Sequence, residues 1–200
     1  MANTDRPQGL RPIMNFDGSP YNGAVRAYLV PSGNGTAMFV GDLVKFGSSS
    51  GAAGLVVNGM DMEGVADVVQ SAAGDAHVGV VVGFLPNQDN LTMKHRAAST
   101  NRVALVAGVD VLYEIQEVSG GTPVAVTDVG ANANVIVGSG NTTTGASGME
   151  LNNGAINTTA GHDLQIMGLI KRPDNALGEH AKWLVRINDS QFKAGVTGLS

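Results

Sequence analysis

The chain has 200 residues, of which 43% are hydrophobic, only 14% are charged and 28 are glycine. The glycines follow no collagen period, and each would cost a helix interior about 1 kcal/mol relative to alanine, which argues against an all-helical fold. The net charge of −5 is unlike the basic balance of a nucleic-acid-binding protein. The absence of cysteine excludes a disulfide framework and a thiolate metal site.

The low content of charged residues implies a surface that is poor in charge. A soluble domain usually has roughly 25% charged residues, so either Asn, Ser and Thr cover this surface or partners bury part of it. The N-terminus is polar and has no apolar signal core, and the strongest apolar run, residues 78–85, is too short to span a bilayer. We therefore expect a soluble protein that is made inside a cell and has no membrane partner.

Residues 1–23 show neither the period of a strand nor that of a helix, and Pro7, Pro12 and Pro20 interrupt them. Proline lacks the amide hydrogen that a helix interior or a central strand requires. One interpretation is a disordered tail. The other is an extended N-terminal arm that becomes ordered on a neighbouring subunit. Aromatic and arginine side chains dominate protein interfaces, and the candidate partner contacts in this arm are Arg6, Leu10, Arg11, Phe16 and Tyr21.

Residues 24–190 are predicted to form a single β domain. The valine-dense segment 78–85 is typical of a buried strand, and segment 109–118 alternates apolar residues on one face. Segment 36–46 is expected to bend at Gly41 and Asp42. The remaining predicted strands are residues 24–30, 102–106, 124–127, 134–137, 164–171 and 182–187, with Trp183 expected in the core or at an interface.

The segments 55–57 and 60–69 are ambiguous, because the spacing of Val65, Val68 and Val69 would suit one helical turn while their β-branched side chains favour a strand. We interpret both segments as strands. Residues 47–54 are expected to form a loop, residues 138–161 a long surface loop rich in Gly, Asn and Thr, and residues 191–200 a C-terminal tail. Many short strands separated by turns predict an all-β fold: a β-sandwich, a jelly roll or a related barrel.

The sequence contains no convincing signature of catalysis or cofactor binding. In the glycine-rich stretch 138–147, Ala146 stands where a phosphate-binding loop requires lysine, and Thr143 stands where the dinucleotide fingerprint requires glycine. The histidines lie far apart in the sequence, and the acidic residues near position 63 lack the pattern of an EF-hand loop. We expect no enzyme activity, no catalytic residue, no cofactor and no metal site.

Several runs of residues resemble a family of tailed-bacteriophage head proteins, the minor capsid or decoration proteins, and the resemblance extends over roughly residues 1–190. None of these runs is a catalytic signature. They are residues 39–45 (FVGDLVK), 79–86 (GVVVGFLP), 95–102 (HRAASTNR), 169–178 (LIKRPDNALG) and 183–185 (WLV).

The resemblance implies a structural virion protein that binds the outer surface of the capsid and stabilises the shell of major capsid protein as a decoration or cement protein. Its partners would be the major capsid protein and other copies of itself, with a trimer preferred to a dimer by analogy, and it would not contact nucleic acid directly. Its location would be the capsid exterior, after synthesis in the host cytoplasm. The alternative is a receptor- or glycan-binding module of a tail fibre or spike, although the sequence has no fibre repeat.

Overall fold

A computed structural model describes residues 3–199; Met1 and Ala2 of the predicted arm and Ser200 of the predicted tail lie outside the described residues. Within this range the chain forms short β-strands and one turn of 3₁₀ helix, Val126–Asp128. The predicted all-β class is confirmed. The strands are β1 (Arg11–Asn15), β2 (Arg26–Val30), β3 (Leu43–Ser50), β4 (Val56–Val57), β5 (Met60–Asp61), β6 (Ala66–Gln70), β7 (Gly79–Phe84), β8 (Arg102–Ala107), β9 (Val111–Gln116), β10 (Asn132–Ala133), β11 (Val135–Ile136), β12 (Glu150–Leu151), β13 (Leu164–Leu169) and β14 (Lys182–Ile187).

Five strands close into a barrel in the order β2-β6-β3-β7-β8. All neighbouring pairs are antiparallel except β2 and β6, which run parallel where Leu29 lies opposite Asp67. Each barrel strand contributes alternate, mostly valine side chains to one buried cluster, because successive residues of a strand point to opposite faces. Its buried members include Val30, Val44, Val68, Val81 and Val106.

A second sheet, in the order β1-β9-β14-β13-β10, packs against the outside of the barrel. Leu43, Val80 and Ala107 of the barrel belong to the same buried cluster as the apolar face of this sheet, so the barrel and the sheet share one core. Trp183 of β14 is fully buried there, which confirms the core interpretation. Two small hairpins, β4-β5 and β11-β12, complete the fold.

The start of the chain differs from the predicted free arm. β1 pairs antiparallel with β9 at the edge of the sheet, a position in which a strand tolerates Pro12. Leu10, a predicted partner contact, is only 1% exposed and lies in the core, and its amide donates to the Gly41 carbonyl at 2.9 Å. Residues 10–16 of the predicted arm are thus held by their own chain, since β9 pairs with residues 11–15, the Gly41 carbonyl accepts the Leu10 amide and the Asp110 carbonyl accepts the Phe16 amide.

The segment 138–161 is mostly irregular, as predicted, but it is not simply a surface loop. Residues 147–149 and 151 are buried, and Met149 and Leu151 belong to the main core. A Cβ atom added to Gly138 would collide with the Gly148 carbonyl, so the absence of side chains lets two passes of backbone pack directly together. A composition that is typical of exposed loops serves here for close backbone packing.

Three other boundaries differ from the sequence-based expectation. The predicted strand 124–127 is not formed, because residues 126–128 make the 3₁₀ turn and residues 124–125 are irregular, and β3 continues to Ser50 through part of the predicted 47–54 loop. The described part of the predicted tail contacts the sheet, since the Asn132 side chain of β10 donates to the Val196 carbonyl at 2.8 Å.

The described residues contain no helix long and apolar enough to cross a membrane.

Candidate functional site

A groove of about 760 Å³ opens where the end of β1 meets the barrel. Its walls come from the β1–β2 connection, from the barrel strands, from the turn between β8 and β9, and from the C-terminal segment. The residues that line it are Asn15, Phe16, Asp17, Ala24, Val25, Arg26, Tyr28, Val78, Val106, Gly108, Val109, Asp110, Val111 and Phe192. Most are apolar, so the groove is suited to bind apolar side chains.

Two phenylalanines form the rim of this groove. Phe16 is 55% exposed and Phe192 is 53% exposed. Val25, which directly precedes β2, is also exposed. Large apolar side chains that share one concave surface are unusual on an isolated soluble protein and mark interaction sites. The groove is therefore the strongest candidate for a docking surface in the described part of the chain.

Both rings of the rim are held from one side. The Phe192 ring packs edge-on against Phe46 with 5.8 Å between centroids, and Phe46 packs in the same way against Tyr28. The guanidinium carbon of Arg186 lies 5.7 Å from the centroid of Phe16, a cation–π contact. Because these neighbours already orient the two rings, the rings would lose little further conformational entropy when a partner binds to them.

Few polar groups interrupt the groove. Asp17 accepts hydrogen bonds from the hydroxyl and amide of Ser19, which lower the pKa of its carboxyl group. Asp110 and Arg26 are the other charged residues of its lining. The lining residues, all within the described range, include no histidine, serine, lysine or cysteine, so the groove offers no pair of nucleophile and base.

The structure distributes the five predicted contact residues over three places, with Leu10 and Tyr21 at the main core and Arg6 and Arg11 beside one small pocket. Phe16 alone lines the groove. Leu10 is in the core, and Tyr21 is half-buried against it with its hydroxyl donating to the Ala24 carbonyl. Arg6 and Arg11 are exposed elsewhere.

Sequence reasoning missed Val25 and Phe192 as members of the groove. Phe192 is an aromatic residue in a polar, irregular C-terminal segment, and this isolation is the signal that could have marked it. Nothing in the local sequence pairs Phe192 with Phe16, because only the packing of the C-terminal segment on the barrel brings their neighbourhoods together.

A polar cluster lies at the other end of β1, where Asp5, Glu150 and His180 place one potential metal-ligand atom each within 4.8 Å of one another. Gln116 of β9 contacts all three side chains. Burial raises the pKa of the Glu150 carboxyl group, and the nearby Asp5 charge raises it further. The spacing of these residues in the sequence did not indicate the cluster, since they belong to separate segments.

No protein-family model, curated protein or solved structure matches the chain.

Proposed function

We propose that the protein is a structural component of a tailed-bacteriophage head, which binds the outer surface of the capsid and stabilises the shell of major capsid protein. The observation that carries the proposal is the exposed aromatic rim of the groove, formed by Phe16 and Phe192. The low content of charged residues and the family resemblance of several sequence runs support it independently. None of these features requires an enzymatic activity.

The groove supplies a physical mechanism for attachment. Full burial of a phenylalanine side chain contributes about 1.5–3 kcal/mol, so each half-exposed ring would contribute about half of that on docking. Such an energy is modest for one subunit. A homo-oligomer that docks several of its grooves on the shell at once would still hold firmly, because linked weak contacts multiply through avidity.

The proposed occupant of the groove is an apolar segment of the major capsid protein. Arg26 and Asp110 line the same groove and would orient that segment by hydrogen bonds. Binding to the assembled shell and not to free capsid subunits would stabilise the shell by mass action. Self-association around a local threefold axis, which is expected by analogy with decoration proteins, would place several grooves on neighbouring shell subunits.

Fractionation of phage particles tests this proposal. DNA-filled heads that lack tails are separated from free tails by density-gradient sedimentation, and each fraction is probed for the protein. We expect it in the head fraction at many copies per particle. Recovery with tails alone would overturn the proposal in favour of a receptor- or glycan-binding module, and recovery in neither fraction would overturn both.

A further inference from the structure

The side chains of Asp5, Glu150 and His180 are here called the N-terminal cluster. They come from the first residues of the chain, from β12 and from the connection between β13 and β14. One ligand atom of each lies within 4.8 Å of those of the others, and Nδ1 of His180 is 3.5 Å from Oδ1 of Asp5. The tertiary fold therefore assembles an imidazole and two carboxylates at one point.

A buried amide points into this cluster. The side-chain nitrogen of Gln116, a residue only 4% exposed, lies 3.0 Å from Asp5 Oδ1, 3.2 Å from Glu150 Oε1 and 3.4 Å from His180 Nδ1. Its oxygen accepts the Arg6 backbone N–H at 3.0 Å, which fixes the orientation of the amide. With the imidazole Nδ1 as an acceptor, three acceptors face an amide group that has two protons.

The cluster is also held in place before any ligand binds. The Asn3 side chain donates to the Ala176 and Glu179 carbonyls at 2.8 and 2.9 Å and accepts the Ala176 amide at 2.9 Å. These three hydrogen bonds attach the first described residues to the β13–β14 connection, on which His180 lies. Asp5 is thereby kept beside His180 although its side chain is largely exposed.

We propose that the N-terminal cluster binds a divalent transition-metal cation, with Zn²⁺ as the best match. Imidazole nitrogen and carboxylate oxygen are both ligands of Zn²⁺, and three protein ligands with one water complete a tetrahedral site. Ca²⁺ and Mg²⁺ prefer sites made of oxygen alone, so the imidazole of His180 selects against them. The exposed Asp5 carboxylate closes onto the ion from the solvent side, and the Gln116 amide keeps its position and donates to the bound carboxylates.

The consequence of binding is mechanical. The ion joins the N-terminal segment directly to β12 and adds a further link to the β13–β14 connection, to which the Asn3 side chain already attaches that segment through three hydrogen bonds. It would stabilise the folded state by mass action and protect the first residues from proteolysis. This inference does not depend on the proposed capsid function, because it concerns only the isolated chain.

Titration calorimetry of the full chain with ZnCl₂ near neutral pH, after removal of metal with a chelator, tests the proposal. We expect one Zn²⁺ per chain, a higher Tm with Zn²⁺, and weaker binding of CaCl₂. His180→Asn should lower the affinity at least about tenfold, since loss of even an indirect partner of a metal ligand costs that much. Asparagine tolerates the left-handed backbone of His180, with φ of 60°, so this variant keeps the local fold.

Asp5→Asn and Glu150→Gln provide two further variants. Asp5 is exposed, so its substitution leaves the core intact and still should weaken Zn²⁺ binding at least about tenfold. His162→Asn, outside the cluster, is the matched control and should bind as the original chain does. The proposal is overturned if the original chain binds no Zn²⁺, if Ca²⁺ binds more tightly, or if Asp5→Asn and His180→Asn both bind Zn²⁺ as tightly as the control.

Discussion

Nε2 of His77 lies 3.1 Å from Oδ1 of Asp163, and neither side chain has any exposed surface. His77 precedes β7 of the barrel, and Asp163 precedes β13 of the sheet. Asp163 also accepts the backbone amides of Gly74 and Val135, each at 2.8 Å. One buried carboxylate therefore joins the barrel and the sheet through three hydrogen bonds.

Asp163→Asn should lower the free energy of unfolding by about 3 kcal/mol. The amide nitrogen of asparagine would face a backbone N–H or the imidazole that now donates to the carboxylate, which leaves a buried donor without an acceptor. Urea denaturation measures the effect. Asp89→Asn, at an exposed position, is the control and should change the stability by less than about 0.5 kcal/mol. Equal unfolding midpoints for the two variants would contradict the role of Asp163.

Gly41→Ala should destabilise the attachment of the N-terminal segment. Gly41 has φ of 101°, and a Cβ atom there would collide with the Gln8 carbonyl, so the substitution costs both backbone strain and a clash. We expect a loss of about 2 kcal/mol or more in urea unfolding. Gly18→Ala is the matched control, because Gly18 also has a positive φ but open space around it. A loss no larger than that of the control would show that residues 8–10 do not pack as described.

Glu117 should make stability depend on pH. Its side chain is buried, and burial raises the pKa of its carboxyl group from 4.5 to about 6, although the Val124 amide partly offsets this. The folded state thus holds the proton more tightly than the unfolded state. The resulting stability is present below pH 4.5 and is lost as the pH rises through about 6. The total change amounts to about 2 kcal/mol.

Glu117→Gln isolates this contribution, because glutamine at position 117 cannot titrate. Other carboxyl groups whose pKa is raised, such as that of Asp42, remain in both proteins. The free energy of unfolding of both proteins is measured from pH 4.5 to about 7. We expect the original chain to lose about 2 kcal/mol relative to the variant over this range. If the free energies of unfolding of the two proteins changed in parallel with pH, Glu117 would not titrate in this range.

Phe16→Ala should weaken attachment to capsids. The ring is about half exposed, so its burial on docking is worth about 1 kcal/mol, or about fivefold in affinity per site. Purified protein is added to heads that lack it, and the bound fraction is measured after sedimentation. Leu91→Ala is the control, because Leu91 is 78% exposed and does not line the groove. Equal binding of the two variants would exclude the groove as the contact surface.

Much of the strand content could be predicted from local sequence. The predicted 182–187 coincides with β14, and 102–106 lies within β8, because dense β-branched and alternating apolar residues favour a pleated backbone wherever they are placed. The 3₁₀ turn at residues 126–128 could not be predicted in the same way. Its apolar residue Val126 is exposed, so the side-chain pattern carried no information on burial.

The groove and the N-terminal cluster depend on contacts between residues that are distant in the chain. Phe16 could be named from its residue type as an interface anchor, but its place beside Phe192 could not, and no local pattern joins Asp5 to Glu150. Leu10 shows the same limit from the other side. The sequence predicted Leu10, which lies between two prolines, to be an exposed partner contact. In the structure β1 pairs with the edge of β9, and residues of the barrel cover the Leu10 side chain.

The sequence by itself determined the all-β class, because glycine abundance, β-branched residues and short apolar runs act through local backbone preference. Only the tertiary structure decided that β2 closes the barrel against β6, that the N-terminal segment belongs to the sheet, and that glycines in residues 138–148 pack backbone against backbone. Each of these depends on the hydrogen-bond partner or the surface that a remote segment supplies. Such pairings depend on the free energy of burying the whole core and not on the local preferences of the residues in contact.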